Sequence, residues 1–278
     1  MSYKKVIVLL SVCLLMGILL SLDIKKAGKP SSGNNKNGRL PVTKSIKAFL
    51  NIDSLELKDL STLNPAQEKN IRSLEGKLNS KSTFEDYLNI GSQWSKISKN
   101  LWAGHYFYKA AELNPNLVLW LKAGNSLNEA LAVTSDSTSQ KLIFLEASTS
   151  FKNALLIDSS SLDAKTGLGV SYVAGSDNPM QGISLLLSVI TKDPKNVKAN
   201  FSLGLFSMKS GQYQKAINRF RTVVSKEPSG EAYFYMAQAY QNLNQKKEAI
   251  DSYLQSKKYI DDPQTISSID HLVKELTN

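Results

Sequence analysis

The chain has little of what most catalytic sites are built from. Its 278 residues contain one cysteine, Cys13, and two histidines, His105 and His271. A lone cysteine excludes an internal disulfide. Two histidines cannot furnish a histidine-rich metal centre, and Cys13 lies in an apolar run, so zinc and other metals are not expected. His105 stands beside Tyr106 and Phe107, where a packed or surface helix residue is a commoner role than a catalytic one. Gly167-Leu168-Gly169 lacks the third glycine of a dinucleotide loop, continues Val170-Ser171-Tyr172 and has no strand before it. Asp261-Asp262, just before Pro263, reads as a solvated helix end rather than an acid–base pair. Asn200-Phe201-Ser202 fits a glycosylation sequon but falls inside an expected helix. No nucleophile–base constellation is legible. The expectation is a protein that is not an enzyme, with no catalytic residue and no cofactor.

The folded part also lacks a surplus of charge. The formal net charge is +10, but residues 1–50 hold nine Lys/Arg against the single acid Asp23, a net of +8. The remaining chain carries only +2, too little to mark an overall phosphate-binding surface, so no nucleic-acid partner is expected. An apolar fraction of 42% supports a folded core.

What is present begins at the N-terminus. Lys4 and Lys5 precede an apolar run, Val6–Leu22, interrupted only by Ser11, Gly17 and Ser21 and closed by Asp23, Lys25 and Lys26. At 1.5 Å per residue such a helix spans roughly 25 Å, slightly short of a hydrocarbon core; Tyr3 and Ile24 can extend it into the interface. Three readings compete. A cleaved signal wants small residues before the cut, and Lys25 sits two before Ala27. A lipoprotein signal wants a small residue before its cysteine, where Val12 stands. An uncleaved anchor is the expected reading, with residues 1–26 as transmembrane helix. Lys4, Lys5 and the free amine favour a cytoplasmic N-terminus, whereas Lys25, Lys26, Lys29, Lys36 and Arg39 pull the other way. The arrangement expected is a bacterial inner-membrane protein with its body on the periplasmic side. Residues 27–41, AGKPSSGNNKNGRLP, read as a polar tether, and 27–63 as linker and transitional segment.

The body repeats. A small residue on one helix, then a small residue on the next, recurs five times: Gly91, Gly124, Gly169, Gly204 and Ala237 on the first; Ala103, Ala147, Gly182, Ala216 and Ala249 on the second. The first set is spaced 33, 45, 35 and 33 residues apart, a helical-repeat period near 34. Four residues after each second-helix small residue stands a bulky one: Phe107, Phe151, Leu186, Phe220 and Tyr253. Positions i and i+4 share a helix face, so these side chains fill the space beside the small residues. Pro115, Pro194 and Pro228 end the second helices. Leu203-Gly204, Gly211, Tyr213, Ala216, Phe220 and Pro228 carry the pattern most clearly, followed by Met236-Ala237, Tyr240, Ala249 and Tyr253, and by Leu168-Gly169, Tyr172, Gly182, Leu186 and Pro194. Gly91, Trp94, Ala103, Phe107, Ala110 and Pro115, then Trp120, Gly124, Ala147, Phe151 and Ala154, follow by register.

This pattern resembles the tetratricopeptide repeat (TPR) over residues 84–263. The resemblance implies an all-α, right-handed α-solenoid of about five hairpins (84–116, 117–161, 162–196, 197–229 and 230–263), preceded by the anchor and its linker. A helix over 64–81, opened by Asn64-Pro65-Ala66-Gln67, is expected to cover the first hairpin. A capping helix over 264–278, with Ile266, Ile269, Leu272, Val273 and Leu276 on one face, closes the last. Repeat two carries 23 residues between its small residues where the others carry 12 or 13. The excess falls in Val133–Leu142, as a longer loop or a lengthened helix end.

The resemblance also implies a concave face of first helices that binds peptides or partner helices. On this chain that face offers Asn125 and Asn128 at one end, then Val170, Val173, Phe201, Leu205, Met208, Phe234, Gln238 and Gln241. An exposed apolar strip of that size marks an interaction surface, and truncating Phe201 and Phe234 to Ala is expected to abolish capture without changing stability. Clamps for a C-terminal carboxylate need cations where Leu88 and Ser202 stand, although Lys198 is basic, so an acidic chaperone tail is disfavoured. The function expected is a membrane-tethered scaffold or adaptor for another protein in the cell envelope. A structural subunit that homo-oligomerises through the same surface is the alternative, and an enzyme ranks last.

Overall fold

The caps written into the chain start and stop its helices where the repeat pattern requires. In the computed structural model, which describes residues 52–277, thirteen helices follow one another with no strand among the described residues. The run Val6–Leu22 and the tether at 27–41 lie outside the described residues. Among the described residues, no helix is long and apolar enough to cross a membrane. All the described residues belong to one unit.

Two short helices come first, α1 (Ile52–Leu60) and α2 (Pro65–Glu75). Ten more form five antiparallel hairpins: α3 (Phe84–Lys96) with α4 (Asn100–Leu113), α5 (Leu117–Val133) with α6 (Ser137–Ile157), α7 (Leu162–Gly175) with α8 (Pro179–Lys192), α9 (Val197–Lys209) with α10 (Tyr213–Lys226), and α11 (Gly230–Asn242) with α12 (Lys246–Lys257). Helix α13 (Pro263–Thr277) closes the chain.

Each first helix after the first hairpin begins on a polar cap just beyond the end of the preceding second helix. Asn116 Oδ1 accepts from the Leu119 amide, Asn196 Oδ1 from Ala199, and the Ser161 and Ser229 hydroxyl oxygens from Ala164 and Ala232. Those bonds satisfy amides that have no partner inside the helix. The turns inside hairpins one, four and five are also alike. Ser98, Gly211 and Asn244 take left-handed backbone angles, φ 57°, 71° and 59°. The next amides, of Lys99, Gln212 and Gln245, donate back to the carbonyls of Trp94, Ser207 and Tyr240. This left-handed exit reverses the chain in three residues.

The small residues act as the repeat pattern requires. A Cβ on Gly91 would lie 2.6 Å from the Phe107 ring, one on Gly124 2.6 Å from Phe151, one on Gly169 2.8 Å from Leu186 and one on Gly204 2.6 Å from Phe220. Each of the first four hairpins therefore closes by seating its bulky side chain on bare backbone, and the fifth has Ala237 at the equivalent position. Hairpin three has a second such seat. Gly167 meets the Phe151 ring of the previous hairpin, where a Cβ would come within 2.1 Å. The pair Gly167 and Gly169 thus packs helix α7 against neighbours on two sides.

Repeat two resolves to the second of its two options. Its extra residues lengthen both helices, α5 to 17 and α6 to 21 residues, against 12 to 14 in the other hairpins. The extension packs back on the stack: Leu142 is fully buried, and Leu131 and Phe144 crowd Gly175 at the end of α7.

At the N-terminal end the outcome differs from expectation in two ways. The segment at 52–60, expected as linker, is helix α1, and α2 ends at Glu75 rather than reaching residue 81. The capping box of Asn64 and Gln67 is present as expected. Asp59 explains why α1 is held. Its carboxylate accepts from the Trp102 indole at 2.7 Å and from Lys99 Nζ at 2.9 Å, 40 or more residues away in sequence. Ile71 of α2 is buried in the same core as Trp94 and Trp102. At the other end Ile269 of α13 is buried with Ala237 and Tyr253, and Leu272, Val273 and Leu276 pack around them, as the capping stripe requires.

The seat at Gly167 yields a measurable consequence. Gly167→Ala forces a methyl group into the Phe151 ring, so stability should drop by about 1–3 kcal/mol. Phe151→Leu in the same chain should return part of that loss, as for any contacting pair. Thermal melts of the two single variants and the double variant test this; an unchanged melting temperature for Gly167→Ala rejects the seat.

Candidate functional site

The face formed by the first helices of the hairpins carries the residues expected to bind, and most of them are half-buried. Asn128 lies across a helix junction. Its Nδ2 donates to the Gly167 carbonyl at 2.8 Å and its Oδ1 accepts from the Ser171 hydroxyl at 2.7 Å, so both ends of the carboxamide are engaged within the fold. Asn125 is half-buried one turn earlier on α5. Val170 and Val173 pack on the core formed by Ile183, Leu186 and Leu203, with Val173 over the bare backbone of Gly182. Leu205 and Met208 pack around Ile217, Phe220 and Met236.

The aromatic residues are tied more tightly. The Phe201 ring meets Phe220 at 5.8 Å and Tyr235 at 6.0 Å, edge to face. Phe234 meets Tyr253 at 5.5 Å in the same manner. These contacts correct one expectation. Truncating Phe201 and Phe234 removes interlocked rings and lowers stability, by an amount on the order of 3 kcal/mol for a well-packed ring, so that variant cannot separate binding from folding.

Gln238 and Gln241 are placed differently. They line an open cavity of about 750 Å³ between α11, α12 and α13, together with Asn242, Asn244, Lys246, Tyr253, Leu272 and Leu276. The Tyr253 hydroxyl donates to Gln241 Oε1 at 2.9 Å, and Asn242 Nδ2 donates to the Gln238 carbonyl at 2.8 Å. The left-handed turn at Asn244 brings the start of α12 to the cavity rim. Four carboxamides supply both donors and acceptors, Lys246 supplies a positive charge, and Leu272 and Leu276 of the closing helix supply an apolar wall. Repeat register points to Gln238 and Gln241 alone among these. The carboxamide-rich run Gln241-Asn242-Leu243-Asn244-Gln245 is the sequence signal for Asn242 and Asn244.

A second polar cluster lies at the opposite end and is buried. His105 Nδ1 is 2.9 Å from each oxygen of Glu146, with the two side chains 9% and 1% exposed. The pair ties α4 to α6, and the imidazole is further enclosed edge-on by Trp102 and Tyr106. Next to it the Tyr106 hydroxyl donates to Glu75 Oε1 at 3.0 Å. Burial, reinforced by the neighbouring Glu75 carboxylate, pushes Glu56 up to about 7. The same burial, with both carboxylates, pushes the Tyr106 phenol above its ordinary value, which keeps it a donor. No group of three or more His, Cys, Asp or Glu side chains that could hold a metal occurs among the described residues. The cluster fastens α1 and α2 to the first hairpins.

A family model and one solved structure point to the same fold. A model of the tetratricopeptide repeat matches residues 231–259, which lie in the hairpin of α11 and α12. A thermophilic TPR protein of Thermus thermophilus is similar in structure at 16% identity with a TM-score of 0.53, over 70% of this chain and 99% of that one. MamA is similar at 22% identity and a TM-score of 0.45, over 63% of this chain and 90% of its own. YrrB, described as a TPR protein with an unusual peptide-binding site, is similar at 19% identity and 0.43, over 74% and 98%. A comparison with curated proteins found no match. The fold is that of a TPR protein, an architecture suited to protein–protein interaction.

The carboxyl cluster makes stability depend on pH in a stated direction. Folding raises Glu56 from 4.5 to about 7, so between those values the native state holds a proton that the unfolded chain has released. Stability is then fully present below the lower value and falls as the pH rises through the higher one. Glu56→Gln keeps the site neutral and should gain about 1–2 kcal/mol at pH 8 relative to the unsubstituted chain, with little gain at pH 4. Urea melts at the two pH values decide it; equal gains at both would remove Glu56 as the titrating group.

Proposed function

We propose that this TPR fold is a non-catalytic scaffold, tethered to a membrane by Val6–Leu22, that holds an extended segment of another protein at the C-terminal end of its first-helix face. One observation carries the location. The open cavity lined by Gln238, Gln241, Asn242, Asn244 and Lys246 gathers several polar groups at the end of that face, whereas Phe201, Leu205, Met208 and Phe234 are drawn into ring and core contacts. Carboxamides match the alternating donors and acceptors of an extended main chain. Lys246 suits an acidic side chain or a terminal carboxylate. Leu272, Leu276 and Tyr253 suit one apolar side chain.

The tether rests on the N-terminal sequence: an apolar run flanked by Lys4, Lys5, Lys25 and Lys26, then a Gly-, Asn- and Ser-rich stretch. A body outside the cytoplasm follows if the short basic N-terminus is retained inside.

Panning a random peptide library on the full chain should enrich peptides that bind the cavity. The combined variant Gln238→Ala, Asn242→Ala and Lys246→Ala should bind them about tenfold more weakly or worse, with its melting temperature unchanged. Peptides indifferent to that variant would place the site elsewhere on the stack. For the tether, a C-terminal reporter active only outside the cytoplasm should be active in bacterial cells, and lose activity when Val6–Leu22 is deleted; an inactive reporter on the full chain contradicts the orientation.

A further inference from the structure

The near-neutral total of the body conceals one strongly basic hairpin, whose two helices lie between Asp193 and Glu227. Residues 194–226, which contain the whole of α9 and α10, carry seven Lys/Arg and no Asp or Glu. Six of the seven side chains are exposed and Arg219 is half-buried. None of the seven is in an ion pair among the described residues. Helix α10 carries four of them: Lys215, Arg221 and Lys226 are exposed and Arg219 leans toward α9, with the neutral polar residues Gln214, Asn218, Thr222 and Ser225 between them.

The two arginines are held by neutral partners. Arg219 donates to Asn200 Oδ1 at 3.0 Å, and Arg221 to the Tyr240 hydroxyl at 3.0 Å. These bonds orient the guanidinium groups without neutralising them. The neighbouring α12 is different in kind, because Lys246 and Lys247 are followed there by Glu248 and Asp251. Hairpin four is thus an uncompensated basic surface on a stack whose other parts balance.

The chemistry of the surface selects among anionic partners. A protein interface has apolar or aromatic anchors at its centre, and no large apolar side chain between Val197 and Lys226 is exposed. Single-stranded nucleic acid is gripped by exposed aromatic rings as well as cations, and this face has none. A layer of anionic headgroups needs neither, since each Lys or Arg near it adds attraction independently. We propose that the outward face of α10 lies against anionic lipid headgroups. The proposal rests on the reading of Val6–Leu22 as a membrane tether, which brings this hairpin within reach of a bilayer.

The test uses the full chain with Cys13→Ser and a fluorophore on Ser225→Cys, mixed with vesicles of phosphatidylcholine alone or with phosphatidylglycerol added. Headgroup-labelled lipid should quench the fluorophore strongly only when phosphatidylglycerol is present. The quenching should fall by about tenfold in high salt, and to a similar degree in the variant Lys215→Gln, Arg221→Gln and Lys226→Gln. A fluorophore on Ser95→Cys of α3 should report no such change. Flotation with pure phosphatidylcholine vesicles reads the tether separately. A chain that floats there but shows no phosphatidylglycerol-dependent quenching keeps the tether and overturns the basic face. A chain that does not float there, yet is recruited by phosphatidylglycerol in a salt-sensitive manner, overturns the tether and supports the face. If poly-glutamate or duplex DNA shifts the Ser225 fluorophore while lipid does not, the proposal is overturned in favour of that partner.

Discussion

The contact between a bare glycine backbone and the ring four residues beyond the next small residue organises the stack. At Gly91, Gly124 and Gly204 the ring of Phe107, Phe151 or Phe220 occupies the volume that a Cβ would need. The two helices of a hairpin are thereby held at one distance, and the helix faces above and below are left to bury one another. Phe151 shows how the same device joins hairpins. It presses on Gly124 within its own hairpin and on Gly167 of the next, so one ring sets two helix contacts. The polar tie from Asn128 to Gly167 and Ser171 crosses that junction and fixes its rotation.

Solenoids of this kind have two open ends, and the chain treats them differently. At the N-terminal end the short helices α1 and α2 are fastened by polar groups that are partly or wholly buried: Asp59 on Trp102 and Lys99, and Glu75 on Tyr106. Such ties work only while each group has its partner, and the raised Glu56 shows that the balance there depends on a proton. At the C-terminal end α13 covers the core with apolar residues, Ile269 foremost. It leaves a polar cavity against the first-helix face instead of sealing it. The polar groups of the first end thus hold the fold together, whereas the carboxamides of the second line an open cavity.

Much of this was legible in the sequence because the deciding interactions are local or periodic. Capping by Asn64, the breaks near Pro115, Pro194 and Pro228, and the pairing of small with bulky residues all depend on spacings of a few residues or of one repeat. Helix α1 was not legible, because what holds it is Asp59 reaching residues 40 and 43 positions away. His105 reads in sequence as a packed or surface residue; its pairing with Glu146, 41 positions on, has no local signature. The first-helix face was legible in outline only. Register places Phe201, Leu205, Met208 and Phe234 on the first helices, but cannot tell a ring turned to solvent from one locked against Tyr235 or Tyr253.

The sequence by itself determined the number of hairpins, their order, the glycine and ring positions that close them, and the basic character of the fourth. It did so because helix periodicity and steric volume act through near neighbours and repeat from one hairpin to the next. Only the tertiary structure decided which side chains on the shared face remain available, how the ends are closed, and where buried carboxyl groups meet. Those outcomes depend on residues far apart in the chain arriving at one place, and burial is a property of the place.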